Sequence, residues 1–87
     1  MATVFIPSLM QELTDGRQQI EVSGSTVREI INMLEESHPG IKNRLMDGFK
    51  LKGNVTVAVD GEVSPIGVLA KVQENSEVHF LPALGGG

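Results

Sequence analysis

The chain ends in three consecutive glycines, Gly85, Gly86 and Gly87, whose residue type suits them to one kind of chemistry. Glycine has no Cβ, so a glycine segment can lie in a slot too narrow for any side chain and adopt the backbone angles that the slot requires. Pro82, shortly before them, has a restricted φ angle and directs the tail away from a defined place on the folded domain. We therefore predict that a partner protein threads this tail; the alternative is an inert chain end.

The rest of the sequence offers few side chains that could catalyse a reaction or bind a metal ion. The absence of cysteine excludes disulfides, a cysteine-based zinc site and a thiol nucleophile. His38 and His79 belong to different predicted elements and are expected to be solvated, and no acidic residues join them with metal-ligand spacing. Segment 23–26 precedes a predicted helix but lacks the lysine and the glycine spacing of a phosphate-binding loop. We predict that the chain is not an enzyme, holds no metal and binds no cofactor stably.

Length and charge narrow the classes of protein and of partner. The 87 residues allow one domain, and its core must be aliphatic because three phenylalanines are the only aromatic residues. The net charge of −4 has the wrong sign for binding a nucleic-acid backbone. No apolar run approaches the roughly 20 residues that span a bilayer, and the N-terminal segment lacks the basic stretch of a signal peptide. We expect a cytoplasmic monomer that binds neither nucleic acid nor membranes.

Alternating apolar residues predict the strands that position the tail. Segments 3–7 and 18–22 read as a hairpin with a long connection around 14–16. A third strand, 55–59, enters a tight turn at Asp60-Gly61 and returns briefly at 62–63. The last strand, 77–81, runs almost to the C-terminus.

One main helix is predicted over 26–37. Thr26 and Glu29 have the spacing of a capping box, in which the hydroxyl accepts from the N3 amide and the carboxylate accepts from the N-cap amide. Helical spacing puts four apolar residues on the face toward the sheet and four polar residues toward water: respectively Val27, Ile30, Ile31 and Leu34, and Arg28, Asn32, Glu35 and Glu36. Glu35 and Glu36 read as solvated surface. Pro39-Gly40 ends the helix.

The remaining segments are shorter. Residues 41–46 predict one helical turn that packs Ile41 and Leu45, and 48–53 reads as a loop. In the irregular segment 65–72, three apolar residues are expected to cover the edge of the core: Val68, Leu69 and Val72.

This order of elements predicts an α+β fold, with a mixed four- to five-stranded sheet packed on one main helix and the N- and C-terminal strands adjacent in the middle. One sheet face is then left open. Alternation places four residues there, which we interpret as a partner-binding face: Phe5, Ala58, His79 and Leu81. The alternative is that they are half-covered sheet residues without a binding role.

Segment 77–87, Glu-Val-His-Phe-Leu-Pro-Ala-Leu-Gly-Gly-Gly, resembles the C-terminal signature of the bacterial sulfur carriers of the MoaD/ThiS family. The resemblance extends to 4–6, 26–37 and 55–61, and 40–47 is similar to the branch that serves cysteine biosynthesis. The family usually has a small or hydroxyl residue before its final two glycines, where this chain has Gly85. The resemblance implies a ubiquitin-like β-grasp domain over 1–84 and a flexible glycine tail over 85–87.

The same resemblance implies a function for the tail. An E1-like enzyme would adenylate the carboxylate of Gly87 at the expense of ATP, and sulfur would then replace the activated oxygen to give a thiocarboxylate. A biosynthetic enzyme would accept that sulfur, in a pathway to cysteine, homocysteine, molybdopterin, the thiamine thiazole or a sulfur-containing natural product. Two alternatives remain open: a ubiquitin-like modifier joined through Gly87 to lysines of other proteins, and an interaction domain with an inert tail.

Overall fold

The structure, a computed structural model, describes residues 1–82. Seven strands, two helices and two 3₁₀ segments follow one another in that part of the chain. In chain order they are β1 (Ala2–Phe5), a 3₁₀ segment (Ser8–Thr14), β2 (Gln19–Val22), α1 (Val27–Ser37), α2 (Ile41–Leu45), β3 (Met46–Asp47), β4 (Lys50–Leu51), β5 (Val55–Val59), β6 (Glu62–Val63), a 3₁₀ turn (Gly67–Leu69) and β7 (Glu77–Pro82).

Five strands form one mixed sheet in the order β2-β1-β7-β5-β6. The first and last strands, β1 and β7, are adjacent and parallel, whereas the other pairs are antiparallel. The predicted α+β fold with central terminal strands is therefore confirmed. Because β7 is paired with β1 only up to His79 but with β5 up to Pro82, its C-terminal end leaves the sheet from a position fixed by β5.

The apolar stripe of α1 is completely buried against the sheet, as its spacing predicts. The sheet contributes Val4, Val57, Val78 and Phe80 to the same core, and α2 contributes Ile41 and Leu45. In each strand the residues between these buried positions lie on the opposite face. One face of the sheet is thus covered by α1, and the other is left open.

The cap of α1 differs from the predicted capping box in one contact. The Thr26 hydroxyl accepts from the amide of Glu29 at 3.2 Å, as predicted. The Glu29 carboxylate, however, accepts from the amide and hydroxyl of Ser25 instead of the amide of Thr26. Thr26 has extended backbone angles and forms an isolated bridge with Lys71, and this extended entry brings Ser25 within reach of the carboxylate.

Two predictions about the connecting segments need correction, and a third segment has a conformation that was not predicted. The long connection between β1 and β2 contains the 3₁₀ segment Ser8–Thr14, which buries Met10 and Thr14. Segment 48–53, predicted as a loop, includes β4 and the tip of a small β3–β4 hairpin. Leu69 is mostly exposed, because the 3₁₀ turn Gly67–Leu69 is only three residues long and buries just Val68.

Glu35 is not solvated surface, in contrast to our prediction. Its side chain is half-buried, and its carboxylate accepts from the backbone amides of Gly40 at 3.2 Å and Lys42 at 2.9 Å. The chain turns back after α1, and this return brings the first amides of α2 to the carboxylate. Glu36 is exposed, as predicted.

Candidate functional site

The predicted tail residues Gly85, Gly86 and Gly87 lie outside the described residues, as do the end of the predicted domain 1–84 and the tail segment 85–87. The structure instead shows the place from which that segment departs. On one side, the pairing of β7 with β1 stops at His79, opposite Phe5; on the other side, its pairing with β5 continues to Pro82, opposite Val55. Residues 80–82 therefore extend beyond the end of β1, at the edge of the open sheet face.

The four residues predicted for a partner-binding face do share the open face. Phe5 and Ala58 lie opposite His79 on its two neighbouring strands, so that three strands contribute to one row. The rings of Phe5 and His79 stack with centroids 4.0 Å apart and planes only 7° from parallel. Leu81 is the next residue of β7 on this face, and its side chain is 40% exposed.

Ala58 contributes less accessible surface than its neighbours. It is buried, yet it is not part of the core cluster. Its small side chain lies between His79 on β7 and Val63 on β6, which flank it in the register. Ala58 therefore contributes little accessible surface to the row, and most of the exposed atoms belong to the larger residues around it.

Val63 is a member of this row that the sequence reasoning missed. It lies directly opposite Ala58 in the β5–β6 pair, so its side chain is on the same face, and it is mostly exposed. The predicted Asp60-Gly61 turn would have been enough to place Val63 on this face, because a two-residue turn pairs residue 59 with 62 and residue 58 with 63.

The open face has different chemistry at its two ends. At the end away from the tail, Thr3 lies opposite both Glu21 and Glu77, and its hydroxyl donates to the Glu21 carboxylate. At the opposite end, near Pro82, Leu81 lies opposite Thr56. The face therefore changes from acidic to uncharged along β7, from Glu77 toward Pro82.

Asp60 connects the β5–β6 turn to the start of β7. Its carboxylate accepts from the backbone amide of Glu77 at 2.9 Å and from the hydroxyl of Ser76 at 2.7 Å. These two hydrogen bonds, the amide first, stabilise the charged form and lower the pKa of Asp60 below its ordinary value of 3.8. The contact fixes where β7 begins beside β5 and so helps to set the register of the open face.

Neither histidine is solvated as predicted. His79 is half-buried because it lies on the central strand and stacks on Phe5, and His38 is half-buried at the end of α1. Within residues 1–82, no three histidine or acidic side chains come together in a group that could hold a metal ion. No helix in that part of the chain is long and apolar enough to cross a membrane.

Comparison with known proteins places the chain in a family. The model of the ThiS family matches residues 4–87. The sulfur carrier protein CysO of Mycobacterium tuberculosis is 33% identical over 90 residues, which cover 98% of this chain and 97% of that protein.

Solved structures agree with this match. The crystal structure of M. tuberculosis CysO has a TM-score of 0.91 at 31% identity and covers 97% of this chain and 100% of that one. A chain of the Amycolatopsis orientalis BexX/CysO complex has a TM-score of 0.90 at 38% identity, with full coverage of both chains. Small archaeal modifier protein 1 of Methanosarcina acetivorans, at 19% identity and a TM-score of 0.77, covers 99% of this chain and 95% of that one and shares the fold alone. These matches confirm the ubiquitin-like β-grasp fold, and the chain belongs to the ThiS family of proteins.

Proposed function

We propose that this protein is a sulfur carrier that works through the carboxylate of Gly87. The observation that carries the proposal is the likeness, over 98% of the chain, to proteins named sulfur carrier protein CysO. Two features of the sequence agree with it: the chain ends in three glycines, and it has no cysteine that could carry sulfur in their place. By this proposal the chain is a substrate and carrier for other enzymes.

The chemistry requires activation before sulfur can be added. A carboxylate is a poor electrophile, so one of its oxygens first attacks the α-phosphorus of ATP, and pyrophosphate leaves. Sulfide then attacks the acyl carbon of the adenylate, and AMP leaves with the electron pair of the broken bond. A persulfide can deliver the same sulfur if a thiol then cleaves its S–S bond. The thiocarboxylate product is ionised at neutral pH and is a soft nucleophile, like a thiolate.

An E1-like adenylating enzyme would supply the ATP site and the catalysis. Its active site would take Gly85 and Gly86 in a narrow slot, because neither residue has a side chain. Its docking surface would cover the row formed by Phe5, Ala58 and His79 and continue to Leu81, where the face meets the tail. The end of the open face at Leu81 is thus the end from which the chain continues toward the reacting carboxylate, and the acidic end at Glu21 and Glu77 would set the orientation.

A second partner would accept the sulfur. A biosynthetic enzyme that binds the same face and tail must exclude the activating enzyme, so the two partners would bind in turn. A chain similar to this one belongs to the crystallised BexX/CysO complex of Amycolatopsis orientalis, which supports the proposal that this chain also binds partner proteins. A cysteine or homocysteine pathway is our preferred assignment because the similar proteins are named CysO.

Intact-mass analysis tests the proposal. The chain is incubated with ATP, sulfide and its E1-like enzyme and is then treated with a thiol-alkylating reagent. We expect one adduct, mapped to Gly87, because the sequence offers no cysteine to the reagent. Reactions without ATP, and a variant that lacks Gly86 and Gly87, should give none. An unmodified mass with an enzyme that is active on another carrier would contradict the proposal, and conjugates on a denaturing gel would favour a protein modifier.

A further inference from the structure

A second exposed apolar surface surrounds the tip of the β3–β4 hairpin, on the side of the sheet that α1 covers. Phe49 stands at this tip and is 87% exposed, although it is one of only three aromatic residues in the chain. A depression of about 220 Å³ is lined by Phe49 together with Ile31 and Met46 among others. A second, of about 330 Å³, reaches Leu51 and the 3₁₀ turn. We call these two depressions and Phe49 the hairpin cleft.

Packing of the protein's own core does not account for the hairpin cleft. Phe49 is not part of the core cluster, and both Ile66 and Leu69, at the rim of the second depression, are mostly exposed. Contiguous exposed apolar residues of this kind mark interaction sites, and aromatic anchors beside pockets are typical of their centres. The cleft therefore has the composition of a binding surface.

The charge around the hairpin cleft is opposite to that of the whole protein. Arg28 borders both depressions, Lys42 borders the first and Lys50 the second. Three of the seven basic residues thus surround one site in a chain with a net charge of −4. The ion pairs found within residues 1–82 are Met1 with Glu74 and Arg44 with Glu12, and neither involves this group.

Neighbouring acidic residues reduce this positive charge only in part. Asp47 lies opposite Lys50 in the hairpin, but the two are not within ion-pair distance. The Glu35 carboxylate is occupied by the amides of Gly40 and Lys42. The Lys42 ammonium donates to the neutral Asn32 side chain at 2.9 Å.

We propose that the hairpin cleft binds an acidic segment of a partner protein. An apolar side chain of that segment would fill a depression beside Phe49, and its carboxylates would lie near Arg28, Lys42 and Lys50. Charge complementarity selects this occupant, because a basic rim on an acidic protein favours a negatively charged ligand. The cleft is separate from the open face, so a partner bound there leaves that face accessible, and the inference does not depend on sulfur transfer.

Nuclear magnetic resonance of the ¹⁵N-labelled protein tests this inference. The probe is a short peptide in which leucines are separated by pairs of glutamates, and the matched control peptide has glutamine in place of every glutamate. We expect saturable shift changes with the acidic peptide, concentrated at residues 28, 42, 49, 66 and 69. The glutamine peptide should bind at least about fivefold more weakly, because it lacks the charges that the rim would attract.

Two variants sharpen the test. Phe49→Ala removes an exposed ring, so the resonances of core residues should not shift. The affinity for the acidic peptide should fall at least about fivefold. Arg28→Gln should lower the affinity for the acidic peptide and leave the affinity for the glutamine peptide unchanged. The inference is overturned if no shifts occur, if they centre on Phe5 and Leu81, or if both peptides bind equally. It is also overturned if phosphate alone gives the same pattern, or if the shifts appear on concentrating the protein without peptide, since a second copy would then be the occupant.

Discussion

Asp60 shows how a single residue joins local conformation to long-range pairing. Its φ of 51° lies in the left-handed region, which Asp and Asn adopt more readily than most residues, and Gly61 follows with a φ of 87°. Positive φ at both positions is the pattern of the tight hairpin turn that connects β5 to β6. From this turn the Asp60 carboxylate reaches the start of β7, where it accepts hydrogen bonds from the amide of Glu77 and the hydroxyl of Ser76.

Asp60→Asn should therefore change stability in a pH-dependent way. Asn tolerates the positive φ but has no negative charge. The folded-state pKa of Asp60 is lower than its unfolded value of 3.8. Its stabilising contribution is thus fully present above 3.8 and is lost as the pH falls through the lower folded-state pKa. Urea denaturation from neutral to acid pH should show the wild-type protein more stable than the variant at neutral pH, with a difference that shrinks in acid.

Asp15→Asn is the matched control for this prediction. Asp15 also has a positive φ, of 55°, and the same substitution removes the same charge from a turn. Its side chain, however, forms none of the hydrogen bonds found in residues 1–82. A difference for Asp60→Asn that is independent of pH, or equal to that of the control at every pH, would rule out the proposed role of the two hydrogen bonds.

At the scale of elements, Glu35 connects α1 to α2. Two amides at the start of α2 have no partner within that short helix, and the Glu35 carboxylate satisfies both. Glu35→Ala should lower the free energy of unfolding by about 1–3 kcal/mol, because hydrogen bonds to charged groups are lost and half-buried amides are left without an acceptor. Chemical denaturation measures the change.

Glu36→Ala provides an adjacent control with an identical change of charge. Glu36 is exposed on α1, so its replacement should alter the free energy of unfolding by less than about 0.5 kcal/mol. If the two variants lose the same stability, helix electrostatics would explain the result and the Glu35 contacts would be unimportant. Glu35→Gln, which keeps one acceptor oxygen, should fall between wild type and Glu35→Ala.

The elements that could be predicted from the sequence are those with a regular apolar period. The strands and α1 alternate or repeat because one face of each meets the core, and that requirement is visible in the residues themselves. Glu35 and Glu36 are identical in type, and only the path of the chain after Gly40 distinguishes them. The β3–β4 hairpin was missed because two-residue strands are too short to show a period.

At the scale of the whole molecule, chemistry is divided between two sides. The open sheet face is acidic at Glu21 and Glu77 and uncharged near the end of β7, and the hairpin cleft on the other side has a basic rim. The period-2 pattern predicted the open-face residues Phe5, Ala58, His79 and Leu81, because successive side chains of a strand point to opposite faces of the sheet. The hairpin cleft was not predictable in this way, because α1, α2, the hairpin and the 3₁₀ turn each contribute only one or a few of its residues.

This division makes the partner-binding role of the open face testable with a matched pair of substitutions. Leu81 and Met33 are exposed to a similar extent, 40% and 43%, but Leu81 lies on the open face near the end of β7 and Met33 on the outer side of α1. Leu81→Glu would place a charge in the uncharged end of the proposed interface with the E1-like enzyme. We expect at least a roughly tenfold loss of affinity, which corresponds to about 1.4 kcal/mol.

Met33→Glu adds the same charge at an equally exposed position and should leave that affinity within about twofold. Calorimetric titration of each variant into the E1-like enzyme gives the two dissociation constants, and thermal unfolding confirms that both variants remain folded. Equal losses for the two variants would mean that added negative charge alone weakens binding. An unchanged affinity for Leu81→Glu would show that the enzyme holds the tail without the open sheet face, because a glutamate at this position cannot enter an apolar contact without a large cost of desolvation.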